Sequence, residues 1–256
     1  MHILLTNDDG YNAPGIQILY RTLRSQTKHD ISIVAPEGQR SATGHSITLF
    51  QPVFVTEYNL DSHQKGYAIS GTPSDCVKLA IQGGLVTKPD LIISGINLGP
   101  NLGTDVFYSG TVSAAMEGVL LGVPAVAVSL ASYDFMDFEP TATYLAAQLD
   151  FIIQHNKEGL MNINFPGKPL AEWRGVKVTR LGKAVYENVF ERRVDPHGRT
   201  YFWQCGNLTQ DLELDTDLRA IQGDFISITP MHSDLTDFAC VKSWQTIFNT
   251  NNECSL

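Results

Sequence analysis

Basic residues are scarce in this chain: 18 Lys and Arg stand against 27 Asp and Glu, a net charge of −9. That balance argues against nonspecific grip on nucleic acid or on an anionic membrane. An acidic protein that handles an anionic substrate needs a local source of positive potential, such as a metal ion or a helix N-terminus. Cysteine is equally sparse. Cys76, Cys205, Cys240 and Cys254 show no CxxC spacing, so neither a disulfide framework nor a zinc knuckle is expected, and a reduced, cytoplasmic setting fits best. The longest uncharged stretch, residues 118–133, is too short to span a bilayer and carries Pro124, so it reads as a buried helix–strand junction. Asp8 and Asp9 break the N-terminal apolar run almost at once, unlike a secretory signal. Neither GxxxxGK[ST] nor GxGxxG is found, which removes the main support for NTPase and dinucleotide-binding readings. Seven histidines include no HExxH.

What is there describes a globular protein with a substantial core: 256 residues, 43% of them hydrophobic. Apolar runs at 2–6, 31–36, 90–95 and 124–130 read as buried strands. Between them lie helical patterns. Pro14 opens one with Ile16, Leu19, Tyr20 and Leu23 on a single face. Thr72 caps another that runs from Pro73 to a stop at Gly83. A third begins near Thr111, and a fourth carries Leu145, Leu149, Ile152 and Ile153. This alternation predicts an α/β, Rossmann-like doubly wound, mostly parallel sheet over residues 1–165. Residues 45–58, rich in β-branched and aromatic side chains, read as a protruding β-hairpin. Residues 166–256 read as a C-terminal β extension of one domain, with strand-like pieces at 175–181, 199–205 and 223–230.

Ligands of open parallel sheets bind beyond the carboxyl ends of the strands, and three polar loops share that address. The first carries Asp8 and Asp9, the second Ser41, the third Asn97. Two adjacent carboxylates repel unless a cation lies between them. With neutral oxygens from Ser41 and Asn97, they would suit Mg²⁺, Mn²⁺ or Ca²⁺ and not zinc. A solvated Asp-Gly turn is the competing reading. The third loop ends at Ser109, Gly110 and Thr111, where a helix starts. Its free N–H groups would hold an anion, although Ser109 or Thr111 could be a cap and nothing more. A cation site and an anion site at one sheet edge are what metal-assisted phosphoryl transfer requires. His45 and His232 are further candidates as acids or phosphate contacts, and Arg40 is either an anion contact or a solvated side chain.

These segments carry a resemblance. "ILLTNDDGYNAPG", "VAPEGQRSATGHSIT", "SGTPSDCV", "PDLIISGINLGPNLGTDVFYSGTVSAAMEG" and "ISITPMHSDLT" together resemble the survival protein SurE family of metal-dependent 5′-nucleotidases across nearly the whole chain. The resemblance implies hydrolysis of nucleoside 5′-monophosphates, and also of 3′-monophosphates and other small phosphate esters. It implies one divalent ion per subunit, Mn²⁺ or Mg²⁺, on Asp8, Asp9, Ser41 and Asn97. It also implies phosphate and substrate contacts at Asn12, Gly44, Asn101, Ser109, Gly110 and Thr111, with Asp8, Asp9, Asn12 and Ser109 as the catalytic group. Self-association to a dimer or tetramer through the C-terminal extension is implied too. His197 departs from the pattern, standing in "DPHG" where the family commonly has arginine. Two rivals remain. A haloacid-dehalogenase-type phosphatase, working through an aspartyl-phosphate, would use Asp-x-Asp, whereas Asp8 and Asp9 are adjacent. A nucleotide-binding stress-response protein would carry its metal incidentally.

Overall fold

Strand β1 (His2–Thr6) is an inner strand, fourth of nine, of the main sheet in the computed structural model, which describes residues 1–60, 64–183, 186–187, 189–208 and 213–252. The other strands of that sheet are β2 (Asp30–Pro36), β3 (Val55–Asn59), β4 (Lys65–Ile69), β5 (Leu91–Leu98), β6 (Ala125–Ala131), β7 (Leu160–Pro166), β8 (Val176–Val178) and β13 (Ile226–Met231). Two small pairs stand apart: β9 (Tyr186–Glu187) with β12 (Asn207–Leu208), and β10 (Phe190–Val194) with β11 (Thr200–Gln204). The main sheet runs β3-β4-β2-β1-β5-β6-β7-β13-β8, parallel except where β3 meets β4 and β13 meets β7. The α/β, mostly parallel architecture read from the sequence is therefore what the chain adopts.

Helices α1 (Pro14–Gln26), α2 (Pro73–Gln82), α3 (Gly110–Leu120), α4 (Glu139–His155), α5 (Asp217–Gln222) and α6 (Phe238–Asn252) complete the chain. The central strands are apolar on both faces because both are covered. Ile3 and Leu5 of β1 join Ile16, Leu19 and Leu23 of α1 and Leu145 and Leu149 of α4. Leu4, between them, points to the opposite core, with Val77 of α2 and Val112 and Ala115 of α3. Helix α2 starts as its sequence indicates: Thr72 and Asp75 form a reciprocal capping box, with Pro73 in the first turn. Ser109 caps α3, accepting from Val112 N at 3.0 Å.

Two expectations are corrected, and one strand the sequence did not reveal is added. The hairpin lies over 55–69, not 45–58: β3 pairs with β4, Tyr58 opposite Gly66. Residues 45–54 form no ladder, and polar groups of this stretch bond to the start of α2 instead. Thr48 donates N–H and hydroxyl to Asp75, and Ser46 O accepts from Thr72 Oγ1 at 2.7 Å. Strand β4 is disguised in sequence by Gly66. That glycine makes room for the Tyr58 ring, whose Cζ would lie 2.6 Å from a Cβ there. Secondly, β7 continues the pattern through Pro166 with buried Asn162 and Asn164, which hide it from hydropathy. Thirdly, the C-terminal extension is not all β: it adds β8 and β13 to the main sheet but also forms α5 and α6. Cys76 is buried and Cys205 and Cys240 are exposed, while Cys254 lies outside the described residues. No helix among the described residues is long and apolar enough to cross a membrane.

Candidate active site

The site begins with a turn. Beyond β1, Asn7 closes the chain on itself: its Nδ2 donates to Gly10 O at 2.8 Å and its Oδ1 accepts from Gly10 N at 3.2 Å. Gly10, at φ +103°, supplies the left-handed step. The closed turn leaves Asp8 and Asp9 side by side at the carboxyl edge of the sheet.

Two other loops converge on them. Arg40 N donates to Asp8 O at 2.6 Å, bringing in the loop that carries Ser41. Leu98 N donates to Asp9 Oδ2 at 3.4 Å, bringing in the end of β5 with Asn97. Asn97 spends its amide N–H on Gly99 O at 2.9 Å, which leaves its side-chain oxygen as the atom able to bind a cation. Ser41 is exposed on the rim, as is Asn12 at the approach to α1.

The start of α3 closes the fourth side. Thr111 donates its hydroxyl to Asp8 Oδ1, and its backbone N–H also turns to that carboxyl. Gly110 is required by contact: a Cβ there would stand 2.7 Å from Asp8 Cβ and 2.9 Å from Asp8 Oδ2. Part of the helix N-terminus is thus committed to Asp8. Ser109 Oγ is committed to the cap, while Gly110 N–H is one of the amides at the helix start that have no intrahelical partner. Gly44, at φ +55°, abuts the same turn, its N–H donating to Tyr108 O at 3.0 Å.

Burial dominates the electrostatics. Asp8 is 4% exposed. Desolvation pushes its pKa up to about 6 against the pull of Thr111, with the Asp9 charge adding to the rise. Burial also raises Asp9, against hydrogen bonds from Leu98 and Gln39. Among the described residues no Lys, Arg or His forms an ion pair with either carboxylate. Nor do three His, Cys, Asp or Glu side chains cluster as a metal site. A cation here would rest on two carboxylates and neutral oxygens. That donor set fits Mg²⁺ or Mn²⁺, and a cation between the aspartates would relieve the repulsion that burial magnifies.

The other sequence candidates separate. Asn101 sits behind the site at 7% exposure: its N–H donates to Asn164 Oδ1 (2.9 Å), its Nδ2 to Ser129 Oγ (2.7 Å), and its carbonyl accepts from Asn162 and Asn164. In this conformation it anchors the third loop. The Arg40 side chain is partly solvated, 39% exposed, and pairs away from the aspartates: Nη2 donates to Ser70 O at 2.9 Å and lies 3.7 Å from Glu37 Oε1. His45 Nε2 donates to Glu117 Oε2 at 2.8 Å and, with His232, lines a largely apolar cavity of about 530 Å³ beside α3. His197 lies in the exposed β10–β11 turn, remote from the aspartates in the fold. Sequence reasoning missed Glu117, Asp217, Asn162 and Asn164. Asp217 fastens α5 to the third loop, accepting from Gly103 N (2.8 Å) and Gly182 N (2.9 Å). For Glu117, Asn162 and Asn164 a charged or amide side chain inside an otherwise apolar run was the available signal; Asp217, in an acidic stretch, offered none.

The chain is similar to known proteins over nearly its whole length. Residues 3–188 match the family model described as survival protein SurE. The protein named 5′-nucleotidase SurE in Desulfitobacterium hafniense is 60% identical over 252 residues, covering 98% of this chain and 99% of its own. Its namesake in Pelotomaculum thermopropionicum is 48% identical over 256 residues, covering 98% and 96%. The crystal structure of the SurE protein from Aquifex aeolicus superposes with a TM-score of 0.83 at 37% identity, over 96% of this chain and 99% of that one.

Proposed function

The chain belongs to the survival protein SurE family, and from that membership we propose that it is a 5′-nucleotidase, a phosphoric monoester hydrolase that converts nucleoside 5′-monophosphates to nucleoside and phosphate. Its named relatives carry that activity in their names. The substrate range extends to 3′-monophosphates and other small phosphate esters, because the site's recognisable chemistry is directed at the phosphate.

One divalent ion per subunit, Mn²⁺ or Mg²⁺, would be held by Asp8, Asp9, Ser41 and the Asn97 side-chain oxygen. When bound it supplies Lewis-acid polarisation of a phosphoryl oxygen and activation of water. The chain's own residues do the rest. Gly110 N–H and the positive end of α3 receive non-bridging phosphate oxygens, with Asn12 at the rim and Ser109 buried beneath as the cap that orients the helix start. Thr111 keeps the Asp8 carboxyl turned toward this edge, and Leu98 N–H does the same for Asp9. Preorganised donors of this kind need no rearrangement as charge shifts during transfer.

The observation that carries the reading is the convergence of three loops and a helix start on two adjacent carboxylates that no cationic side chain pairs among the described residues. Phosphate release from a panel of nucleoside monophosphates tests it, with EDTA and with Mn²⁺ restored. Release that is insensitive to EDTA would overturn the metal assignment.

The C-terminal extension is the candidate for self-association to a dimer or tetramer. Phe190, Tyr201, Phe202 and Trp203 on β10–β11, and Phe238 and Trp244 on α6, are all exposed. Apolar surface of this extent favours a partner over water. Exposed thiols at Cys205 and Cys240 fit a reducing, cytoplasmic environment.

A further inference from the structure

The loop over residues 37–48 contains no helix or strand, yet it must deliver Ser41 to the rim of the site. Backbone bonds bracket it: Arg40 N to Asp8 O on one side of Ser41, and Gly44 N to Tyr108 O on the other. Between them Ala42 stands at φ +57°, a conformation that alanine does not favour. At its far end Thr48 and Ser46 bond to Asp75 and Thr72 at the start of α2, and a separate fastener ties the loop to α3. Immediately after Gly44, His45 Nε2 meets Glu117 Oε2 at 2.8 Å, and Lys78 Nζ of α2 meets Glu117 Oε1 at 3.2 Å. The Glu117 side chain is 6% exposed, on the third turn of the helix whose first turn holds Asp8.

A buried carboxylate is stable only if paired, and Lys78 alone supplies a full positive charge. The His45 bond is therefore surplus to neutralisation, and its geometric effect is to tie the loop to α3. We propose that Glu117 is a positioning residue of the hydrolytic site: through His45 it straps the loop of residues 37–48 onto α3, so that Ser41 and the Asp8 side of the site keep one fixed spacing. This rests on the reading of Asp8, Asp9, Ser41 and Asn97 as a cation site. Nothing in the backbone pattern around Ser41 does the same work from the α3 side, because Gly44 contacts only the turn before that helix.

The test uses the full chain in four forms besides wild type. His45→Ala removes the strap while leaving Glu117 paired with Lys78. His45→Gln restores a donor near the Nε2 position. Lys78→Met removes the other partner and leaves the strap. Asp9→Asn reads the cation premise. Amide hydrogen exchange at Arg40 and Gly44 is measured on metal-free protein, and Mn²⁺ affinity by calorimetry without substrate. His45→Ala is expected to speed exchange at both amides and to weaken Mn²⁺ binding by about 10–100-fold, the usual effect of losing an orienting partner of a ligand. His45→Gln restores both, and Lys78→Met lowers the melting temperature but alters neither. Wild-type exchange and affinity in His45→Ala would overturn the proposal. So would equal loosening in Lys78→Met, which would make Glu117 a structural charge and nothing more. Unaltered Mn²⁺ binding in Asp9→Asn would instead sink the cation reading, while the exchange data would still decide the strap.

Discussion

Asp8 shows how one carboxyl can be held in balance. Burial raises its pKa to about 6 while Thr111 pulls it down, so that its charge is maintained by neighbours and not by water. Gly110 is part of the same balance, because any side chain there enters the space of Asp8. Gly110→Ala is expected to cost about 1–3 kcal/mol, the usual range for overpacking, and to displace Asp8. Urea denaturation would read the first effect, and loss of Mn²⁺-dependent phosphate release the second. Asp9→Asn is expected to reduce metal-dependent turnover to the level seen in EDTA while leaving the far-ultraviolet circular dichroism spectrum unaltered. Full activity in that variant would refute the metal assignment.

Among the elements, α2 is the one whose local sequence is most complete, and its cap reaches beyond the helix. Asp75 accepts from Thr72 N at 2.9 Å and from Thr48 N at 3.0 Å, so a single carboxylate closes the capping box and seats the loop. Burial pushes its pKa up, but the hydrogen bonds from Thr48 and Thr72 outweigh it and the net shift is downward. A carboxyl whose folded pKa is depressed contributes stability that is fully present above the unfolded value of about 3.9. That contribution is lost as pH falls through the lower folded value. Asp75→Ala should therefore cost about 1–2 kcal/mol at neutral pH, and the difference from wild type should shrink below about pH 4. Chemical denaturation at the two pH values measures both.

Across the whole molecule, the C-terminal extension is bound into the site's scaffold. Strands β13 and β8 extend the main sheet, and Asp217 of α5 ties that extension to the loop before α3 through Gly103 N. Asp217→Ala strands the amides of Gly103 and Gly182 in a buried setting. At about 1–3 kcal/mol per unsatisfied group, it should lower the melting temperature more than any single surface change and slow turnover as well. The exposed aromatic faces of β10–β11 and α6 make a separate prediction. Deleting residues 237–256 should lower the assembly mass measured by light scattering, without removing a strand of the main sheet.

Local physics in the sequence determined the α/β class, the buried strands β1, β2, β5 and β6, and the Thr72 cap, while the choice of Ser109 over Thr111 as the cap of α3 came from the structure. It also determined that Asp8, Asp9, Ser41 and Asn97 share one edge of the sheet. Each follows from neighbouring residues: apolar runs, cap chemistry, and the rule that parallel strands send their loops to the same side. Only the tertiary structure decided that Thr111 turns to Asp8, that Asn101 is locked against Ser129 and Asn164, and that Glu117 meets His45. It also moved the hairpin to residues 55–69 and built a helix near the C-terminus. The contacts of Thr111, Asn101 and Glu117 join residues far apart in the chain, and a hydrogen bond across such a distance depends on packing that no local pattern encodes.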